Sequence, residues 1–164
     1  MFLQKLYRFF FFSVLISICL LLYNWYKDDE FDNNPISQEL EQQIFLKKEQ
    51  TRQLLQRHYN ISLNVPIIVS DKLPSSLYGV AVFTNDEKIL IYLNKKRFKE
   101  SRSYMIDYVI PHEYAHAVMF HLKEFSKEQS GHSEKWESIC KNLNGKKCDR
   151  FVDNHDIIIG KTGF

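Results

Sequence analysis

The chain has 164 residues, with 22 Lys plus Arg against 20 Asp plus Glu, a formal charge of +2. That length suits one domain of roughly 100–150 residues and excludes large barrels and two-domain enzymes. An apolar share of 45% beside 26% charged residues argues against disorder, and three Cys are too few for a disulfide-dense scaffold. The five Gly and four Pro exclude collagen-like and low-complexity chains.

The residues are unevenly distributed. Phe9 to Tyr26 is a run of 18 uncharged, mostly apolar residues. As a helix it would rise about 27 Å, close to the hydrocarbon thickness of a bilayer. Tyr23, Trp25 and Tyr26 stand where an interfacial aromatic belt would be. A cleaved signal peptide is the rival reading, but bulky Asn24, Trp25 and Tyr26 leave no small-residue cleavage site. The expectation is one uncleaved transmembrane anchor over residues 1–26, contacting lipid through 9–26. Lys5 and Arg8 precede the run; Lys27 with Asp28, Asp29 and Glu30 follows it. The basic side favours the cytoplasm, so the rest of the chain is expected outside it, in the periplasm of a cell with two membranes.

Residues 27–36 are polar, contain Pro35 and read as a linker. Residues 37–164 would form the folded domain. Ser37 is a good N-cap for a helix in which Leu40, Ile44, Thr51, Leu54, Leu55 and His58 recur at helical spacing, with Asn60 at its end. Val65–Val69 reads as a strand. Tyr78–Thr84 and Lys88–Leu93 read as a hairpin across Asn85–Glu87. After the basic connector Lys95–Glu100, one helix is expected from about Ser103 to His121. Another is expected from about Ser133 to Leu143, closed by Gly145, with an irregular tail carrying the apolar triplet Ile157–Ile159. The order gives an α+β fold, with a short three-stranded sheet.

The chemistry resides in His112-Glu113-Tyr114-Ala115-His116, an HExxH sequence. Residues four apart share a helix face, so both imidazoles can reach one metal ion. Glu113 sits one position on and can serve as general base without ligating the metal. Ile106, Val109, Ile110, Ala117, Val118 and Phe120 make the surrounding helix apolar, a costly setting for two His and a Glu that lack partners. A catalytic zinc needs a third protein ligand. The metzincin continuation fails, because Met119 and Leu122 occupy its Gly and His positions. His132, opening the next helix after a polar loop, is the best candidate; Glu134 and Glu137 are the alternatives.

Val109-Ile110-Pro111-His112-Glu113-Tyr114-Ala115-His116-Ala117, followed by Gly131-His132 and Lys135-Trp136, resembles the SprT-like zinc metallopeptidases. Leu73-Pro74 and the hairpin through Asn94 are also similar to that family's region upstream of the motif. The resemblance covers about Ser37 to Arg150. It implies Zn2+ held by His112, His116 and His132, Glu113 as general base, and a small zincin-like domain with its sheet packed on the HExxH helix. Two departures stand out. The third-ligand His is usually followed by Gly, whereas here Gly131 precedes His132 and Ser133 follows it, after a long loop. The family's four-Cys zinc ribbon is absent, since only Cys140 and Cys148 lie in that region.

Those two Cys could form a disulfide in an oxidising compartment or stay as thiols. Cys19 lies in the apolar run and reads as packing. His58, His121 and His155 show no partner pattern, and Tyr114 could pack or donate to an oxyanion. Trp136 is expected to wedge the His132 helix against the HExxH helix. The leading expectation is a membrane-anchored zinc endopeptidase acting on protein or peptide substrates. The alternatives are a non-catalytic zinc-binding module at the membrane and a DNA-associated protease, as some SprT-like proteins are. Residues 27–164 hold 20 basic and 20 acidic residues, which argues against nucleic acid. The sequence specifies no oligomeric state.

Overall fold

A computed structural model describes residues 2–124 and 131–149. His155, Ile157–Ile159 and the stretch just ahead of Gly131 lie outside the described residues. The chain divides into two units, Met1–Ile36 and Ser37–Phe164.

The first unit is a single helix, α1 (Phe2–Asn33), long and apolar enough to cross a membrane by length and composition. It continues past the apolar run, so Lys27–Asn33, expected as part of a linker, is helical. Asn34 closes it, with both its N–H and its side-chain amide donating to the Glu30 carbonyl at 3.1 and 2.8 Å. Pro35 cannot extend the helix.

The second unit opens with α2 (Gln38–Tyr59). The Ser37 hydroxyl accepts the Leu40 N–H at 3.3 Å, and left-handed Asn60 (φ 54°) ends the helix. Its buried stripe is Leu40, Ile44, Lys47, Thr51 and Leu55. Lys47 was not expected there; Leu54 is half-buried and His58 exposed.

Strands β1 (Ile67–Ser70), β2 (Gly79–Phe83) and β3 (Ile89–Asn94) form a three-stranded mixed sheet in the order β1-β3-β2. β1 runs parallel to β3, with Ile67 opposite Ile91; β2 is antiparallel to β3, with Ala81 opposite Ile91. The central strand carries fully buried Ile91 and Leu93. β2 is left at an edge.

The connector after β3 holds one helical turn, α3 (Arg97–Glu100), pinned by buried Phe98. The single helix expected from Ser103 is instead α4 (Arg102–Tyr104), a π-helical turn over Met105–Val109 and α5 (Ile110–His121). Pro111 has no N–H to offer the carbonyl four residues back, and the helix widens just ahead of it. The Ile110 N–H reaches the Met105 carbonyl, five residues back. α5 packs on β2 and β3, and α6 (Glu134–Asn142) packs on α5.

Gly145 lies at the end of α6, as expected, and its N–H donates to the Cys140 carbonyl at 2.9 Å. The left-handed residue is Asn144 (φ 57°). Gly145 is required for another reason: Cys140 and Cys148 form a disulfide, and a Cβ at 145 would lie 2.7 and 2.9 Å from their sulfurs. Cys19 is a free, exposed thiol on α1.

Candidate functional site

α5 presents His112 and His116 one turn apart, with ring centroids 5.1 Å from each other. His132 arrives from the other side. It lies between buried Gly131 and Ser133, whose hydroxyl caps α6 by accepting the Trp136 N–H at 3.3 Å. Gly131 takes φ 79°, a conformation that disfavours side chains, and so turns the chain into the cap. That explains why glycine precedes His132 here: the following position is occupied by the cap of α6.

The three side chains converge through Nε2. His132 Nε2 is 3.2 Å from that of His116 and 3.3 Å from that of His112. The ligand atoms of all three residues fall within 4.8 Å of one another. Hydrogen bonding does not satisfy such a triangle, because a proton between one pair leaves the third nitrogen facing another lone pair. A cation at the centre accepts all three. Nitrogens at a zinc–nitrogen distance of about 2.0–2.1 Å, spread tetrahedrally, are about 3.3–3.4 Å apart, so the donor set fits zinc. Glu134 is exposed, and Glu137 pairs with Lys141 at 2.5 Å; neither belongs to the cluster.

Electrostatics favour the ligand form. Burial, reinforced by repulsion from His132, lowers His112 to about 4. Burial and the other two imidazoles lower His116 to about 3. Both rings are therefore neutral at neutral pH. Trp136, fully buried, walls the cluster with ring centroids 4.7, 5.0 and 4.4 Å from His112, His116 and His132. The expected wedge is thus also an aromatic wall of the cluster.

Glu113 is held by the sheet rather than by the histidines. Its Oε2 accepts the Ala81 N–H of β2 at 2.9 Å. Burial pushes its pKa up to about 8, against the opposing pull of that N–H. A Cβ on Gly79 would lie 2.9 Å from Val109 Cγ1 and 3.0 Å from Glu113 Cγ, so β2 approaches this closely because residue 79 has no side chain. Tyr114 packs instead of facing the site: its hydroxyl donates to the Leu63 carbonyl at 3.0 Å and accepts the Val65 N–H at 3.3 Å.

A family model, the SprT-like family, matches residues 22–155. The chain belongs to the SprT-like family. No curated protein and no solved structure is similar enough to add a closer relative.

The sequence did not point to two features of this SprT-like domain. The first is the Gly79–Glu113 contact, since a lone glycine in a strand signals close approach without naming the neighbour. The second is Asp107 in the π turn, which accepts from Lys47 at 3.1 Å and Lys146 at 2.8 Å. Burial alone would raise Asp107, but the two lysines outweigh it and hold the carboxyl below the usual range. An acid on an otherwise apolar helix was the available signal.

Proposed function

We propose that this SprT-like protein is a zinc metalloendopeptidase that hydrolyses peptide bonds in protein substrates. His112, His116 and His132 would hold Zn2+, and Glu113 would act as general base. The observation that carries the reading is the convergence of three imidazoles, with His132 Nε2 at 3.2 and 3.3 Å from those of His116 and His112, beside a carboxylate tied to a strand edge. Zinc, when bound, supplies Lewis acidity toward the substrate carbonyl and lowers the pKa of water. Glu113 then takes a proton from the attacking water and returns it to the leaving amine, so the elements of water add across the C–N bond. Burial raises the Glu113 carboxyl in the metal-free protein, and a cation held by the histidines would draw it back toward the ionised form that takes the proton. The Ala81 N–H fixes one oxygen and leaves the other for the proton.

We further propose that α1 anchors the domain in a membrane with the N-terminus in the cytoplasm. Support comes from Lys5 and Arg8 ahead of the apolar run, and from the Cys140–Cys148 disulfide, a bond typical of oxidising compartments. A reporter active only outside the cytoplasm, fused after Phe164, should be active; an inactive fusion refutes this orientation.

The activity is tested with the full chain in detergent micelles. Wild type should bind one zinc and cleave unfolded protein, and Glu113→Gln should keep the zinc and lose the cleavage. Zinc binding with no cleavage that depends on Glu113 would establish a non-catalytic binding module instead.

A further inference from the structure

Residues 79, 81 and 83 alternate to one side of β2. Gly79 and Ala81 meet Glu113. Phe83, the third of the set, stacks on Phe120 of α5, with ring centroids 6.0 Å apart and planes inclined by 26°. Phe83 is nevertheless 47% exposed, and Phe120 is half-buried. Burying the rest of a phenylalanine on this scale stabilises by about 25 cal/mol per Å² of apolar area, so an exposed stacked pair is a ready binding surface.

Its position relates it to the site. Counting about 100° per residue around α5 from His112, His116 falls at about 40°, Phe120 at about 80° and Glu113 at about 100°. Phe120 thus lies within the arc that carries the metal ligands and the base. Along the strand, Phe83 is two residues, about 6.6 Å, beyond Ala81. An extended peptide advances by the same amount in two residues.

We infer that Phe83 and Phe120 form an apolar subsite that selects a bulky apolar side chain two or three residues from the cleaved bond. The inference rests on the endopeptidase reading and names its substrate class. Polar side chains at that position would leave the rings exposed and lose their own hydration, so they are discriminated against.

The test is cleavage-site mapping on a library of randomised peptides, using the full chain in detergent. Wild type should show large apolar residues enriched at one fixed position, two or three residues from the cut. Phe83→Ala should lower kcat/KM about tenfold or more for such peptides. The fall should be much smaller for matched peptides with Ala at that position, with zinc content unaltered. Phe120→Leu, which keeps the half-buried volume, should weaken the preference in the same direction and guards against a folding defect. Glu113-dependent cleavage with no positional preference, or a preference untouched by both variants, overturns the subsite while leaving the endopeptidase intact. Absence of any Glu113-dependent cleavage overturns both.

Discussion

Glu113 and Gly79 are packed so closely that a methyl group on residue 79 would lie 3.0 Å from Glu113 Cγ and 3.2 Å from its Oε1. Gly79→Ala should therefore displace the carboxylate from the Ala81 N–H while leaving the three imidazoles in place. Overpacking of this kind costs about 1–3 kcal/mol. The expected outcome is full zinc content, a modest loss of stability and at least a tenfold fall in kcat. Unchanged turnover would show that β2 does not position the base.

His132 comes from outside the HExxH helix, and its contribution is separable. Loss of an outer-shell partner costs about 10–100-fold in metal affinity, so loss of a ligand should exceed about 100-fold. His132→Ala should show that drop in competitive zinc titration, and Glu137→Ala should show none. Equal affinity in wild type and His132→Ala removes His132 from the ligand set.

The metal-free protein should be most stable near pH 6.5. His112 and His116 are lowered to about 4 and about 3, so the unfolded chain binds their protons first and stability is lost as pH falls below about 6.5. Glu113, raised to about 8, works the other way: stability falls as pH rises from about 4.5 toward 8. Two histidines outweigh one carboxyl below pH 6.5, and the carboxyl acts alone above it. Urea unfolding of chelator-treated protein, read from Trp136 fluorescence in a Trp25→Phe background, measures the profile. A maximum below pH 5 or above pH 8 contradicts the assignment.

Asp107 joins α2, the helix that carries the site and the segment after α6. Asp107→Asn leaves Lys47, 9% exposed, without its counter-charge and should destabilise by about 1–3 kcal/mol. Lys47→Met added to Asp107→Asn should recover part of that loss, because the buried ammonium is removed with its partner. Denaturant midpoints of the four proteins in the cycle provide the check, and strictly additive effects would rule out coupling.

What could be read from the sequence was local. The i,i+4 spacing of His112 and His116, the caps Ser37 and Asn60 and the β2–β3 hairpin all depend on residues within a few positions of one another. His132 and Trp136 were legible because Ser133 marks a helix start that brings both back over α5. The long-range relationships were not. Nothing near Ile67 says that β1 joins β3 in parallel, outside the hairpin. Lys47 reads as a surface residue until Asp107, 60 positions away, is placed beside it. Gly145 carried a helix-ending signal, which held, but nothing near it announced the disulfide that bars a side chain there. Pro111 was visible, but whether a helix breaks, kinks or widens at a proline depends on what packs around it.

The ion pair between Glu124 and Lys135, 2.5 Å long, joins the two stretches of chain on either side of residues 125–130. The end of α5 and the start of α6 are held together by the packing of the two helices and by this pair. Both partners are about half exposed, so the pair is a salt-sensitive tie between the end of α5 and the first turn of α6, and through that turn it bears on where His132 sits.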